Sequence, residues 1–482
     1  MSLTLALSSS LSGLNLAARG TQVAADNIAN AQTEAYGVRS VNQASRVTGN
    51  TGSGVSMTGI TRHVDQALLN ELRAVRSKDI GEDIQLAFWN RVEADLGLAG
   101  ELGGMTELVD RLESALQLAS ENPASPARLS QVVQSAEDIA QRFRTVHQSL
   151  AAQRDRADAA LADTATRLND GLEAVAALND RIQRQALLGG APEGLKDERQ
   201  RIVDEISDMV SLRQIDREDG RIMLMGADGT ILVDRKAAKV EFDRSFLPQA
   251  NEKVEDGALG LLQINGKTIP AGSSLLATGK MGAYFNIRDL AAPEVQARVD
   301  ALAENLTARF MNADIDPTLD SGEFGLFAFE DDGMASAGLT GAAGRITVNP
   351  LLANDPDASW RLRDGLGQAS LPLGLVNDNA LLERMRGALN VMEPLSTASA
   401  PARSVSGHAS DLLSMAGTRR LIVEESKSAS SAQRAALSEA FAAQGVDTDA
   451  ELSRLLVLEQ AYAANARVIS TVDAMLRKLL EM

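Results

Sequence analysis

Apolar residues recur with a helical period at both ends of the chain, and this feature limits the possible folds most. The N-terminal stripe comprises Leu7, Leu11, Leu14, Ala18, Thr21, Ala25 and Ile28. The C-terminal stripe comprises Leu455, Leu458, Tyr462, Asn465, Ile469, Val472, Leu476 and Leu479. Alternating steps of three and four residues are typical of coiled-coil seams. We therefore expect a helix at each end, and the simplest arrangement pairs the two helices with each other.

Polar residues interrupt both stripes. Asn465 in a seam would cost stability but fix the register and the number of partners; the alternative is that it faces water. The stretch "DNIANAQTEAYG" (residues 26–37) places Asn27 and Asn30 where the first helix finishes, shortly before Tyr36. These two Asn residues can cap the helix, which we expect to stop at Tyr36 and Gly37.

Helical patterns occupy most of the following segment. Gly, Ser, Thr and Asn dominate residues 37–62, which predicts a linker or an extended segment. From Leu129 to about Ala186 no proline occurs, and apolar stripes predict a long helix there. A further helix is predicted over 195–210. Together these elements predict a helical stalk.

The middle of the chain has a different pattern. In "GRIMLMGADGTILVD" (220–234) two apolar runs flank a turn, and in "LLQINGKTIP" (261–270) Asn265-Gly266 is a strong hairpin signal. "GKMGAYFNIRD" (279–289) and "GRITVNP" (344–350) are further strand candidates. We therefore expect a β-rich region with one helix at 294–312, before helical patterns return at about residue 376.

The fold class that follows is multidomain α+β, with long α-helical coiled-coil termini and a helical stalk that carries an inserted β-rich domain. A chain of 482 residues exceeds what one hydrophobic core usually serves. The predicted domains are a terminal coiled-coil domain (1–45 with 445–482), a helical stalk domain (46–210 with 361–444) and a β-rich outer domain (211–360).

Charge and residue types disfavour several classes of function. A formal net charge of −18 argues against nucleic acid, because phosphate contacts need clustered Lys and Arg. The chain has no cysteine, and its three histidines, His63, His147 and His408, lie far apart in the sequence. No apolar run approaches the roughly 20 residues of a membrane helix. We expect no nucleic-acid or membrane partner, no cofactor, no metal site and no enzymatic activity.

Terminal helices of this kind depend on neighbours. One apolar seam offsets only part of the conformational entropy that is lost when such a helix becomes ordered. We therefore expect the termini to be loose in a single copy and to order when neighbouring copies bury them. This behaviour is typical of a subunit of an assembly rather than of an enzyme.

Segments at both ends resemble one family. "SGLNLAARGTQVAADNIANAQTEAYGVR" (12–39) resembles the N-terminal segment of bacterial flagellar axial proteins, the rod, hook and hook-associated proteins. That segment has an Asn-Asn-Ile-Ala/Ser-Asn motif followed by a Gly-Tyr-x-Arg turn. Here Asp26 replaces the first Asn, Ala35 stands where Gly is usual, and Gly37-Val38 separate Tyr36 from Arg39. "LVLEQAYAANARVISTVDAML" (456–476) resembles the C-terminal helix of the family.

Two central segments narrow the resemblance to the hook-associated proteins. "LNDRIQRQALLGGAPEGLKDERQRIVDEISDMVSLR" (178–213) resembles their Leu-Asn-x-x-Ile segment and the Asp-x-Arg-Asp/Gln helix that follows it. "GRITVNPLLANDP" (344–356) is similar to their Val-Asn-Pro strand.

The resemblance implies a structural subunit that self-assembles through its terminal helices at the junction between hook and filament. It also implies that Asn27 and Asn30 help to fix the end and register of the helix, which does not exclude capping, and that the chain turns outward at Tyr36 and Gly37. It implies export through the flagellar type III apparatus with an export chaperone, and an extracellular location at the distal end of the hook. The implied partners are further copies of the chain in a ring or helical zone, the hook subunit and a second junction protein. The predicted assembly interface comprises Leu7, Leu11, Leu14, Asn27, Ile28, Asn30, Tyr36, Leu455, Leu458, Tyr462, Asn465, Ile469, Val472 and Leu476.

Two alternatives remain open at this point. The chain could be another axial protein, namely a hook subunit, a second junction protein or a flagellin-like protein. The predicted helix at 195–210 and the size of the β-rich insertion count against this. The chain could also be a muralytic or other enzyme fused to axial helices. That alternative needs a carboxylate pair or metal cluster within 211–360, and the sequence offers no recognisable one.

Overall fold

The computed structural model describes residues 3–33, 35–48, 51–98, 100–245, 259–330, 340–369, 377–396 and 401–481. The longer helices are α1 (Leu3–Ala29), α2 (Gln66–Leu96), α3 (Met105–Glu121), α4 (Pro126–Leu187), α5 (Glu193–Met209), α6 (Gly279–Asn286), α7 (Ala292–Phe310), α11 (Ala380–Asn390), α12 (Val405–Ala442) and α13 (Thr448–Leu480). Single helical turns are α8 (Ala342–Arg345), α9 (Pro350–Ala353) and α10 (Arg361–Asp364).

The strands are short except in one hairpin. They are β1 (Val38–Thr48), β2 (Thr51–His63), β3 (Leu212–Asp216), β4 (Ile222–Gly226), β5 (Ile231–Val233), β6 (Val240–Phe242), β7 (Leu262–Ile264), β8 (Lys267–Ile269), β9 (Phe327–Phe329) and β10 (Ile346–Val348). They form two antiparallel pairs, β1–β2 and β9–β10, and two three-stranded antiparallel sheets, β3–β4–β5 and β6–β7–β8. The predicted α+β class is thereby confirmed.

Helix α4 is the element on which both hydrophobic cores are built. It begins at Pro126, a position where the missing N–H removes no helical hydrogen bond. Its first half buries residues such as Ile139 and Phe143 together with α3, α7, α11 and the start of α12. Its second half buries Leu168 and Leu172 together with α5 and the two three-stranded sheets. The long helix that the sequence predicts over 129–186 is therefore confirmed.

The two cores define two lobes. We call the first the helical lobe, whose buried apolar residues lie between Phe88 and Ala157 and between Ile287 and Ala416. We call the second the sheet lobe, whose buried apolar residues lie between Leu161 and Phe285. Residues 211–360, which the sequence analysis assigned to one β-rich domain, contribute to both lobes.

Local sequence signals in the sheet lobe correctly predict its turns. Asn265 and Gly266 join β7 to β8, and both have positive φ, 52° and 75°, as a type I′ turn requires. The two apolar runs of "GRIMLMGADGTILVD" form the neighbouring strands β4 and β5. The strand predicted in "GRITVNP" is β10, but it pairs with β9 in the helical lobe.

One predicted strand is a helix. "GKMGAYFNIRD" forms α6, which continues through a π-helical turn at Ile287–Ala291 into α7. Met281 and Phe285 lie four residues apart and both are buried in the sheet lobe, which fits a helical and not an alternating pattern. A short apolar run alone cannot distinguish the two structures, and here packing against α4 and α2 decides it.

The two termini pack against each other, as the sequence predicts. Gly13 of α1 lies against Asn465 of α13, and Gly20 lies against Leu458, so the helices are antiparallel. Both are formed over their whole length in a single chain, although we expected loose termini. Residues 37–62, predicted as a linker or extended segment, form the hairpin β1–β2 along α1. We call α1, this hairpin and α13 (residues 3–64 and 447–481) the terminal layer.

No helix within the described ranges is both long and apolar enough to cross a membrane.

A buried ion pair lies where the two lobes meet. Asp158 comes directly after Ala157, the last α4 residue that is buried in the helical lobe. Arg288 comes three residues after Phe285, the last buried apolar residue of the sheet lobe. Both side chains are fully buried, with Arg288 Nη1 at 2.5 Å from Asp158 Oδ1. The guanidinium also donates to Gly260 O and lies 5.1 Å from the centre of the Phe285 ring. Three types of contact thus hold one side chain between the lobes.

Removing one member of this pair should destabilise the protein more than removing both. Arg288→Met leaves Asp158 buried without its cation, which costs about 3–5 kcal/mol in the free energy of unfolding. The double variant Arg288→Met/Asp158→Leu replaces this pair by apolar groups and should recover part of that loss, since Asp289, which also pairs with Arg288 at 2.6 Å, stays without its cation. Denaturant titration followed by circular dichroism measures these free energies.

The matched control is Arg167→Met, which removes the exposed Arg167–Asp163 pair of the same helix α4. Its effect should stay within about 0.5 kcal/mol. Equal losses in Arg288→Met and in the control would contradict the assignment of Arg288 as the joint between the lobes.

Candidate functional site

Small residues form the face of α1 that packs against α13. A Cβ atom on Gly13 would lie 2.8 Å from Asn465 Nδ2, and one on Gly20 would lie 2.9 Å from Leu458 Cδ2. Steps of three and four residues from these glycines place Ser10, Ala17 and Ala24 on the same face, and all three are buried. The small side chains let the two helix axes approach closely.

The larger apolar residues of α1 lie beside this face. The sequence analysis took Leu7, Leu11, Leu14 and Ile28 as the seam with α13. For the contact within one chain this is wrong, because the glycine-containing face occupies that place. Leu11 is 52% exposed, and Leu7, Leu14 and Ile28 are only half-buried. These four residues therefore remain available for contacts between copies.

The predicted stripe of α13 does face α1. Leu455, Leu458, Asn465 and Ile469 are half-buried, and Val472 is buried. Asn465 lies in this seam, and its side-chain amide donates to Ala461 O within the helix. The other three predicted residues of this stripe are more exposed, Tyr462 at 44%, Leu476 at 37% and Leu479 at 60%.

A second apolar stripe on α13 is exposed. It comprises Val457, Ala461, Ala464, Val468 and Met475, which are separated by steps of three, four or seven residues. Val457 is 62% exposed and Met475 is 50% exposed. The sequence analysis did not separate this stripe, because the helix is apolar on more than one face. The terminal layer thus presents apolar side chains on both of its helices.

Asn27 ties the end of α1 to the base of the hairpin. Its side chain is fully buried, and its Oδ1 accepts hydrogen bonds from Tyr36 Oη at 2.8 Å and from Arg39 N at 3.1 Å. Its Nδ2 donates to Arg39 O at 2.9 Å. Burial raises the pKa of Tyr36 above its ordinary value, and Arg39 acts in the opposite direction. An amide is needed here because one side chain must both accept and donate.

Asn30 and Ala35 shape the turn that follows. Asn30 Nδ2 donates to Asp26 O at 2.8 Å, so Asn30 caps the C-terminal end of α1. Ala35 has a φ of 62°, in the left-handed region that favours glycine. This explains why Gly is usual at this place in the N-terminal motif that the sequence resembles. Ala35 costs about 1–2 kcal/mol of backbone strain relative to a relaxed conformation.

Asp197 of α5 connects this turn to the sheet lobe. Its carboxylate accepts hydrogen bonds from the side chains of Arg39 and Arg62, the latter at 2.6 Å from Nε, and from Gly37 N at 3.2 Å. Its side chain and those of the two arginines are at most 16% exposed, which limits solvent screening of the charges. Arg62 also contacts Gln200 of the same helix. The sequence analysis did not identify Asp197 as a site residue.

The two central segments of the family resemblance meet beside Asp197. Arg199 Nη1 donates to Asn179 Oδ1 at 2.7 Å, and that oxygen also accepts from Ile222 N. Asn179 Nδ2 in turn donates to Ile222 O. Asn179 belongs to the Leu-Asn-x-x-Ile segment, and Asp197 and Arg199 belong to the Asp-x-Arg helix. Hydrogen bonds thus connect the terminal layer through α5 to the sheet β3–β4–β5.

The terminal layer and the lobes differ in net charge. Residues 1–64 and 447–482 contain eight basic and eight acidic side chains, so the whole net charge of −18 lies in residues 65–446. Copies can therefore bring their terminal layers together without net repulsion, whereas the acidic lobes repel each other.

No group of three or more His, Cys, Asp or Glu side chains in the described part of the chain is arranged to hold a metal ion.

Asp197→Asn should loosen the base of the hairpin without unfolding the lobes. The substitution leaves Arg39 and Arg62 facing a neutral amide, and hydrogen bonds between charged groups contribute about 1.5–3 kcal/mol. Hydrogen exchange of β1 and β2 should become faster, while α4 keeps its protection. Glu198→Gln is the matched control, since Glu198 is the exposed neighbour on the same helix. Identical exchange in both variants would show that Asp197 does not hold the hairpin.

Two protein-family models match the chain. A model described as the helical domain of the flagellar hook-associated protein FlgK matches residues 90–315. A model described as the C-terminal region of the flagellar basal body rod proteins FlgEFG matches residues 438–482. The first range covers most of both lobes up to α7, and the second covers α13.

Curated relatives are similar over almost the whole chain. Flagellar hook-associated protein 1 of Escherichia coli K12 is 22% identical, and the alignment covers 99% of both chains. Flagellar hook-associated protein 1 of Bacillus subtilis 168 is 22% identical over 95% of this chain and 94% of its own length.

A solved structure shares the fold. The flagellar hook junction protein FlgK from Burkholderia pseudomallei superimposes with a TM-score of 0.60 at 12% identity, over 77% of this chain and 99% of that one. The family models, the full-length relatives and this fold agree with the motifs that meet around Asn27 and Asp197. The chain is similar over almost its whole length to flagellar hook-associated proteins of the FlgK family.

Proposed function

We propose that this chain is a structural subunit of the bacterial flagellum that self-assembles through its terminal helices to form the junction between hook and filament. The single observation that carries the self-assembly step is the exposed apolar surface of the terminal layer. Helix α13 buries only Glu451 and Val472 in the single chain. Long helices gain most of their stability from packing, so this one needs further partners.

The composition of the exposed surface supports copies of the same chain as those partners. The outer stripe of α13 and the Leu7–Leu14 side of α1 are both apolar with helical spacing, so they can pack as coiled-coil seams. The terminal layer has no net charge, and the acidic lobes favour positions away from each other. This arrangement suits a ring or helical zone with the terminal layers inside and the lobes outside.

The place of the assembly is proposed from the relatives. The structure neighbour is named as a hook junction protein, and the curated relatives are named as hook-associated proteins. By analogy, this chain would lie outside the cell at the distal end of the hook, in contact with the hook subunit and a second junction protein. An export chaperone would deliver it to the flagellar export apparatus.

The alternative within the same class is another axial protein. The C-terminal match to rod proteins shows that α13 alone does not distinguish among axial proteins. The FlgK match over 90–315 favours the junction role. A structural role also makes enzymatic activity unnecessary, and we expect purified protein not to clear peptidoglycan.

Addition of the purified chain to isolated hooks tests the junction role directly. Electron microscopy should show a short terminal zone that stops growing and on which the second junction protein and flagellin then build. Extended growth would identify a bulk tube subunit instead. Absence of any attachment would contradict the proposed junction role and leave only the similarity to the family.

Substitutions at three consecutive residues of α13 test packing within the chain separately from packing between copies. Val468 lies on the exposed stripe, Ile469 faces α1 and Ser470 is exposed on a third side of the helix. Val468→Asp should leave the thermal unfolding of the single chain unchanged but prevent assembly on hooks, because a charge would enter an apolar contact between copies. Ile469→Asp should also release α1 from α13, which circular dichroism detects as lost helix.

Ser470→Asp is the matched control and should assemble normally. If Val468→Asp assembled as well as Ser470→Asp did, the outer stripe of α13 would not be the surface between copies.

A further inference from the structure

The second half of α12 is held to the protein in a different way from the first half. The first half buries residues such as Leu412 and Ala416 in the helical lobe. Of the residues 417–442, which the structure describes completely, only Ser430 is buried. We call residues 417–442 the strap, because they lie along α2 and lead into α13.

The strap faces α2 with a seam that is largely charged or hydroxylated. Steps of three and four residues define the seam as Arg420, Val423, Lys427, Ser430, Arg434 and Leu437. Val423 and Leu437 are its apolar members, and both are only half-buried. An ordinary coiled-coil seam is apolar at these positions.

Each basic residue of the seam meets an acidic residue of α2. Arg420 Nε lies 2.7 Å from Glu93 Oε2, and Arg434 Nη1 lies 2.9 Å from Asp79 Oδ2. Lys427 pairs with Asp83.

Hydroxyl groups complete the same pattern. Ser426 and Ser430 both donate to the carboxylate of Glu82. All of these contacts put the donor or the cation on the strap and the carboxylate on α2.

Helix α2 is held firmly on its other side. Arg73 Nε lies 2.6 Å from Asp204 Oδ1, and Arg76 Nη2 lies 2.8 Å from Asp208 Oδ2, both on α5. Gly81 touches the backbone of Gly279 in α6. The C-terminal end of α2 buries Phe88 and Val92 in the helical lobe. If the contact between strap and α2 opens, α2 therefore stays with the lobes.

We propose that the strap is an electrostatic clasp that opens without unfolding the lobes. Ion pairs near the surface are screened by salt, whereas burial of apolar side chains is not. Segments with few buried apolar contacts open at a lower free energy than the core. The strap meets both conditions, whereas α4, which carries both cores, is held mainly by buried apolar side chains. Helix α13 follows the strap and also packs on α1, so the clasp controls one of the two attachments of the proposed assembly helix.

Hydrogen exchange of the free full-length chain tests the clasp. The Debye length falls from about 10 Å at 0.1 M salt to about 3 Å at 1 M. Over this range, amides of 417–442 should exchange at least about tenfold faster, while amides of α4 change little. The test uses single copies in solution, so its failure would leave the proposed assembly on hooks untouched.

Two sets of variants connect the effect to the named contacts. Lys427→Gln with Arg434→Gln should speed exchange of the strap at low salt and reduce its response to salt. Arg201→Gln is the matched control, since Arg201 pairs with Glu205 on the exposed side of α5.

In the second set of variants, Asp83→Cys and Lys427→Cys are combined, and the two cysteines are joined by a short bismaleimide. The natural chain has no cysteine, so the linker can react only at these two sites.

In the linked protein, hydrogen exchange of the strap should no longer depend on the salt concentration. In the same variant without the linker, the dependence on salt should remain. Exchange of the strap as slow as that of α4 at both salt concentrations would overturn the proposal. So would salt-dependent exchange that persists unchanged in the linked protein.

Discussion

The position of the terminal layer depends on a network of hydrogen bonds around Asp197 that extends to the buried amide of Asn27. Asn27 fixes Arg39, Arg39 binds Asp197, and Asp197 belongs to α5, which is packed in the sheet lobe. The amide completes its own bonds only if the chain turns at Tyr36 and returns as β1. Every link is polar and largely buried, so each group that lost its partner would also remain away from water. The direction in which the hairpin leaves α1 is therefore fixed by local chemistry rather than by apolar packing.

Burial divides the molecule into a part that is complete in one copy and a part that is not. The lobes enclose two apolar cores on a single helix and need no partner to exclude water. The terminal layer and the strap leave most of their apolar side chains exposed or half-buried and use small residues, amides and ion pairs for their contacts. A subunit built in this way keeps its outer lobes folded while the surfaces that meet other copies stay adjustable. The distribution of charge agrees with this division, because the neutral layer is also the one with exposed apolar stripes.

The sequence predicts best where one physical signal dominates. The period of α4 and the Asn265-Gly266 turn were correctly predicted, because burial on one face and positive φ each leave few alternatives. The run around Met281 was misassigned as a strand, since its length is compatible with either structure and contact with α4 decides. The face of α1 was misassigned because apolar size was taken as the mark of a seam, whereas Gly13 and Gly20 allow closer approach than leucine would. Asp197 was missed because its partners lie far away in the sequence, although its place in the Asp-x-Arg motif was a usable signal.

The contacts of Asn27 also decide how the N-terminal motif relates to assembly. The sequence left two hypotheses for its Asn residues, capping the helix and fixing its end and register. In the structure Asn30 caps α1, whereas Asn27 is fully buried against Tyr36 and Arg39 of its own chain. A side chain that is fully buried in its own chain has no exposed group to offer a neighbouring copy. If Asn27 and Tyr36 contribute to assembly, as the sequence predicts, they do so by holding the exposed stripes of α1 and α13 in place. The residues that meet other copies should then lie on those stripes and not in the motif itself.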